Sequence, residues 1–494
     1  MGSFLNALQS QGTKTARTEN GAVTHSTSTN AVLDFFALAG AKRNDIPGAR
    51  TLFRRAYAED KLLAVRALFY LRDIRGGQGE RQLFRELFKE LIRMDLAVAE
   101  KVLSFVPEYG RWDDVVSVYG FGGINETAKS LIQSQFVSDI QNYEEGKSIS
   151  LMGKWLPSEN ASSANSRVMA RQIATDLELT NREYRKAVVK LRKRIGLLEQ
   201  KMSEKEWSDI DYGKLPSQAG RKHTKAFNRN DEHRYQAFLN SVVKGETKMN
   251  AGTVATYEVV DMVRKGNDSA ANAVWASLPD YTNGQNALVV ADTSGSMGRF
   301  GGISQGTQPI DVSVSLALYF AEHNQGPFKD YFITFSAEPT LVKVRGNTLM
   351  DKLRNISTAK WDMNTNIEKV FDLILNAAIQ AGANADDIPK VIYIISDMEF
   401  DQATRGYGYG YREPETNYEA AKRKFAAAGF QLPHVVFWNV ASRNTNVPVT
   451  AEASNVTLIS GLSQSTFRYV LEGKTPVQSM LDILNGERYA PIQI

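Results

Sequence analysis

Residues 287–297 read ALVVADTSGSM. An apolar run, Ala287 to Ala291, breaks abruptly into Asp292, Ser294 and Ser296. Apolar residues that do not alternate with polar ones mark a strand buried on both faces, and the polar break marks the turn that ends it. Comparable runs follow at Tyr331–Phe335, Val391–Ile395, Val435–Val440 and Val456–Ile459. Between them, apolar residues take helix spacing over 310–323, 366–381, 415–428, 463–471 and 477–484. Buried strands alternating with helices predict a doubly wound α/β domain with a parallel sheet over 284–494.

Upstream of this stretch the pattern changes. Residues 279–286 (PDYTNGQN) gather Pro, Asn and Gly as a linker does. Before the linker, Arg50–Leu71 and Gln82–Met94 each carry one apolar stripe at helix spacing. Further helices are expected over 97–106, 111–119, 125–141, 167–178, 181–203, 231–244 and 252–264. So many short helices predict an all-α domain over 1–283, stacked as a solenoid, although no repeat of fixed length is present.

Composition narrows the function. The chain has 494 residues, of which 43% are hydrophobic and 23% charged, so a folded protein of more than one domain is expected. It has no cysteine, which excludes disulfides, thiol catalysis and iron–sulfur clusters. Its five histidines lack ligand spacing, so zinc chemistry is not expected. Apolar runs stop far short of the roughly 20 residues that span a bilayer, and the N-terminus lacks the apolar core of a secretory signal. A cytoplasmic monomer that avoids membranes is expected.

The net charge of +4 is unevenly spread. Residues 151–235 hold 18 Lys and Arg against 11 Asp and Glu, a surplus of +7 that exceeds the surplus of the whole chain. A localised cationic stretch is what a nucleic-acid footprint requires. Its candidate RNA-contacting residues are Lys154, Trp155, Arg167, Arg171, Arg182, Arg185, Lys186, Lys190, Arg192, Lys193, Arg194, Arg221, Lys222 and Lys225. The cations would neutralise phosphates, and Trp155 would offer a stacking face to an unpaired base.

A second constellation lies at the sheet. Asp292, Ser294 and Ser296 follow the first strand, Thr365 precedes a helix, and Asp397 ends the run KVIYIISD. In a parallel α/β fold all three loops open at the carboxyl edge, where ligands bind. Neutral hydroxyls with few carboxylates form a hard oxygen set suited to Mg²⁺ or another divalent cation. This pattern resembles a von Willebrand factor A domain with a metal-ion-dependent adhesion site. The resemblance implies Ser294, Ser296 and Thr365 as direct ligands, Asp292 and Asp397 as holders of ligand waters, and a partner's carboxylate to complete the shell. Asn364-Thr365 and Ser396-Asp397-Met398 depart from that family's usual Gly-Gly-Thr and Thr-Asp-Gly.

Upstream, ENGAVTHSTSTNAVLDFF, YLRDIRGGQGER, YGRWDDVV and LMGKWLPSENASSANSR resemble the TROVE-like relatives of the Ro autoantigen. That resemblance implies a ring of HEAT-like helical repeats closed by the A domain. Single-stranded ends would enter the ring, and small noncoding or misfolded RNA would bind its basic surface. The expectation is therefore a non-enzymatic RNA-binding protein that meets a nuclease or another protein through an acidic residue at the metal. The alternative is a metal-dependent protein scaffold without RNA. A nuclease using Asp292, Asp397 and Glu399 fits less well, because hydrolysis calls for more carboxylates directly on the ions. Residues 75–81 (RGGQGER) lack the Lys-Ser/Thr ending of a P-loop and read as a turn between helices.

Overall fold

The computed structural model describes residues 15–298, 307–335, 338–358, 365–402, 415–470 and 472–494. An N-terminal helical region is followed by a mixed sheet whose strands are mostly parallel. Two short strands, β1 (Thr15–Arg17) and β2 (Val23–His25), form an antiparallel hairpin that the apolar pattern does not announce. The main sheet holds β3 (Ala287–Asp292), β4 (Tyr331–Phe335), β5 (Thr340–Lys343), β6 (Val391–Ser396), β7 (His434–Asn439) and β8 (Val456–Ser460). Their order is β5-β4-β3-β6-β7-β8, and only β5 runs antiparallel, paired to β4.

Every residue of β3, β6, β7 and β8 is buried, as their unbroken apolar runs require. Lone β5 alternates between half-buried and exposed residues, so its edge position left only a weak trace in the sequence. Helix Pro309–His323 is buried almost throughout because it lies against β3 on one side and helix Thr256–Arg264 on another. Its polar residues are matched accordingly. Ser313 donates to Ile395 O at 3.0 Å, Ser315 pairs with Thr256 at 2.9 Å, and Asp311 takes both Arg264 nitrogens at 2.5 Å.

The compact units do not follow the 283/284 boundary. One comprises Met1–Ala67, Gly76–Gln78 and Ala251–Ala490, and the other Leu68–Arg75, Gly79–Asn250 and Pro491–Ile494. In the first unit, helix Ala31–Leu38 packs on β8, and His25 pairs with Val447. Residues 76–78 of the Gly-rich turn also belong here: Gln78 donates to Ser460 O at 3.0 Å, and Tyr469 donates to Gly76 O at 2.5 Å.

The second unit is helical. Among its buried carboxylates, Asp114 accepts from Arg72 Nε at 2.9 Å and Arg85 Nε at 2.6 Å, and from the Arg111 amide at 3.0 Å. The continuous helix expected over 181–203 is split into Asn181–Ile195 and Leu198–Ser203, because Gly196 takes a left-handed φ of 69°. Helix Ser217–Asn230, which the apolar spacing had not marked, is cationic along much of its length. No regular helical repeat and no ring are established by this arrangement of helices.

Candidate metal centre and basic helical face

The sheet order reverses between β3 and β6: the chain leaves β3 for β4 on one side and returns to β6 on the other. A switch point of this kind opens a crevice at the carboxyl ends of the two strands. Register pairs Ala291 with Ile395, so Asp292 and Ser396 end their strands side by side. The Ser396 hydroxyl donates a short hydrogen bond to Asp292 Oδ2, and the Ser294 amide donates to Oδ1 at 2.9 Å. A single turn over Gly295–Met297 then brings the Ser296 hydroxyl within 2.9 Å of Ser294 Oγ. Either hydroxyl can donate to the other.

Both carboxylates are buried, Asp292 fully and Asp397 at 2% exposure. Burial pushes Asp292 up to about 6, and the neighbouring charge of Asp397 adds to the rise. Burial likewise raises Asp397, against hydrogen bonds from Ser296 and the Glu399 amide and the charge of Arg443. Asp397 Oδ1 accepts from the Glu399 amide at 3.2 Å, whereas Oδ2 is buried with no hydrogen-bond partner. An ionised oxygen left without a donor in the interior is costly unless a positive charge meets it.

Thr365 is fully buried against the loop after β6. Its hydroxyl lies 2.9 Å from both Glu399 O and Asp401 Oδ1, and its amide donates to Asp401 Oδ2 at 3.0 Å. The structure therefore links Asp292, Ser294 and Ser296 by hydrogen bonds, sets Asp397 near enough for its charge to act on Asp292, and ties Thr365 to the segment two to four residues past Asp397. The Tyr/Gly-rich stretch 403–414 lies outside the described residues.

Sequence reasoning missed the N-terminal hairpin entirely. The turn between β1 and β2 docks on the loop after β6. Thr18 donates to Phe400 O at 2.6 Å, the Glu19 amide to Glu399 Oε2 at 2.7 Å, and the Asn20 side chain to both Thr365 Oγ1 and Glu399 O at 2.7 Å. Gly21 bridges to Asp401 with a φ of 88°, which a residue with a β-carbon rarely adopts. The Glu19 carboxylate accepts from Arg443 Nη1 at 2.8 Å, while Arg443 Nη2 donates to Ser296 O at 3.0 Å. Burial raises Glu399 above its ordinary carboxylate range. Nearly 400 residues separate these partners in sequence, so only an acidic or amide residue in a short turn hinted at them. Among the described residues no three His, Cys, Asp and Glu side chains form a metal cluster. The candidate set depends on hydroxyls beside two carboxylates.

The basic residues divide into engaged and free groups. Helix Asn181–Ile195 starts at a capping box, Thr180 with Glu183, and buries Tyr184, Val188 and Leu191. Arg192, on the edge of that buried face, donates to Gly153 O at 3.0 Å, Ser158 Oγ at 2.9 Å and Leu156 O at 2.7 Å. Arg194 caps Gly146 O and Lys147 O, and Arg167 donates to Ala161 O and Ser162 O. Lys190 pairs with Glu144 at 3.7 Å over the Tyr143 ring, and Arg221 holds Gln218. Trp155 is half-buried, with Arg111 4.6 Å and Lys154 5.4 Å from its ring centroid, so cations already cover it.

By contrast, Arg182, Arg185, Lys186 and Lys193 are exposed along one face of their helix. Lys222 and Lys225 are exposed on Ser217–Asn230, followed one turn later by Arg229. Arg171 is exposed on Ala164–Asp176.

Known sequences sharpen the family assignment. A domain of unknown function, DUF2828, matches residues 18–93 and 127–292, and another, DUF7788, matches residues 286–487. Uncharacterized protein L728 of Acanthamoeba polyphaga mimivirus is 29% identical over 520 aligned positions, covering 97% of this chain and 88% of its own length. These matches correct the resemblance read from the sequence: the chain is similar to two families of unknown function and a mimivirus protein, and membership of the TROVE-like or von Willebrand A families is not supported.

Proposed function

We propose that this is a binding protein whose sheet edge holds a divalent cation, Mg²⁺ by the hardness of its oxygen set, and offers that cation to a carboxylate of a protein partner. The observation that carries this reading is Asp397 Oδ2, a buried carboxylate oxygen without a donor beside Asp292, Ser294 and Ser296. Two close, buried carboxylates need a positive charge, and the two hydroxyls add neutral oxygens without filling a coordination shell. Asp292, Asp397, Ser294 and Ser296 would hold the ion directly or through water. When bound, the cation supplies Lewis acidity that attracts an anionic oxygen; the chain's own residues orient it and exclude bulk water. Thr365 contributes by fixing the loop after β6. Calorimetric titration with Mg²⁺ tests this. Wild type should bind, and the Asp292→Ala, Ser294→Ala double variant should not while its circular dichroism stays native. No binding by wild type would overturn the reading.

A second activity, binding of single-stranded RNA, is favoured by the exposed cations on helix Asn181–Ile195 and on Ser217–Asn230. Arg182, Arg185, Lys186, Lys193, Lys222 and Lys225 would track phosphates, whereas Arg192 serves the fold. Small noncoding or misfolded RNA with unpaired ends is the substrate class. Competition between a hairpin with a 3′ tail and the same hairpin without one tests the preference for unpaired ends; equal competition would refute it. Neither activity calls for catalysis.

A further inference from the structure

Resting on the cation reading above, we propose that the β1–β2 turn is the site's own occupant: Glu19 supplies, in cis, the carboxylate that closes the coordination of the cation. Three observations converge. The turn is fixed to the crevice by four hydrogen bonds of 2.6–2.7 Å from Thr18, Glu19 and Asn20 to Thr365, Glu399 and Phe400. A hairpin of three-residue strands is marginal by itself, and these bonds are what hold its turn at the crevice. Second, the Glu19 carboxylate is placed one guanidinium's span from the Asp-x-Ser-x-Ser turn, because Arg443 holds Glu19 with one terminal nitrogen and Ser296 O with the other. Its negative charge reaches both Asp397 and Glu399.

Third, Arg443 is the charge that a bound cation would displace from Glu19. It is about half exposed, as is Glu19, so their ion pair contributes little by itself. A divalent cation held by Asp292 and Asp397 would repel Arg443 and attract Glu19. The Glu19 backbone is already anchored through its amide on Glu399 Oε2, so the exchange would be made by its side chain. A partner's carboxylate must then displace Glu19, which makes the hairpin a tethered competitor at high effective concentration.

The experiment is calorimetric titration of the full chain with Mg²⁺ alone, using wild type, Glu19→Gln, Glu19→Ala and Asp397→Asn, each checked for native circular dichroism. Glu19→Gln keeps the size and the amide anchor but removes the charge. Loss of a supporting carboxylate should weaken Mg²⁺ affinity roughly 10–100-fold. Added acetate should restore part of that affinity to Glu19→Ala and leave wild type unchanged. If both Glu19 variants bind Mg²⁺ as wild type does, or bind it more tightly, while Asp397→Asn does not bind, the cation site stands and Glu19 is only a tether. If wild type itself binds no Mg²⁺, the cation reading falls and this inference falls with it.

Discussion

Neutralising Asp397 should stabilise the cation-free protein while abolishing its response to Mg²⁺. Burial and the charge of Asp397 together hold Asp292 at about 6. A rise of about two pH units above an ordinary aspartate corresponds to about 3 kcal/mol of unfavourable charge at neutral pH. The sign follows from proton binding. The unfolded chain gives up the Asp292 proton near pH 4 and the folded chain only near 6, so this group's contribution to stability declines as pH rises through that interval and stays low above it. Burial is the larger cause and Asp397 the smaller, so the repulsion between the pair is on the order of 1 kcal/mol. Asp397→Asn removes that repulsion. In EDTA at neutral pH the variant should resist urea about 1 kcal/mol better than wild type. With Mg²⁺ at about 100 times its dissociation constant, wild type should gain about 2.7 kcal/mol and the variant nothing, so the order of stability reverses. Urea unfolding followed by tryptophan fluorescence, with and without Mg²⁺, reads both effects. A variant less stable than wild type in EDTA, together with a wild type indifferent to Mg²⁺, would show that the chain itself compensates Asp397 and that no cation belongs there.

Other perturbations reach different parts of the argument. Replacing Arg182, Arg185, Lys186 and Lys193 with Gln should flatten the slope of log RNA affinity against log salt by roughly 0.7 per lost contact; an unchanged slope would make this face ordinary solvated surface. Arg192→Gln should instead lower the urea midpoint, since its three acceptors lie in the 153–158 segment it clamps. Removing Asp114 by substitution with Ala strands Arg72 and Arg85 and should cost about 3–5 kcal/mol, read by thermal unfolding; a loss below 1 kcal/mol would mean the guanidiniums find other partners. Burial lowers His434 to about 4, with a hydrogen bond to Asn455 opposing it. Its unfolded form protonates first on acidification, so stability should fall by about 2 kcal/mol between about pH 7 and pH 5. His434→Gln should lose that pH dependence, and an equal dependence in both proteins would refute the assignment.

The legibility of this chain tracks the range of the forces involved. The strands β3, β4, β6, β7 and β8 fall within a residue of their apolar runs, because burial on both faces leaves no alternative periodicity. The Asp-x-Ser-x-Ser turn was legible for the same reason: a strand end and its turn are local. Edge strand β5 and helix Ser217–Asn230 were not, since β5 is half exposed and the helix's buried stripe, Gly220, Thr224 and Phe227, has a single large apolar residue. The family resemblance failed on another ground. It rested on residue types at a sheet edge and on short motifs, and those can recur wherever a parallel sheet reverses its order.

The basic stretch shows what helix spacing cannot decide. On helix Asn181–Ile195, Arg192 and Lys193 are neighbours in sequence and equal in charge, yet one is clamped to three acceptors and the other faces solvent. A helical wheel assigns each a direction but not what packs there, and that depends on the 153–158 segment, some forty residues away. The same logic governs Glu19. Nothing local distinguishes it from any acidic residue in a polar turn, and its meaning arises only when Arg443 and Ser296 are brought to it across most of the chain. A carboxylate beside a hydroxyl-rich turn can repel that turn's own carboxylates or serve a cation between them. Direct electrostatics favours the second: among the described residues, the positive charge that bonds both Glu19 and the turn is an arginine about half exposed to water, too screened to neutralise two buried carboxylates by itself.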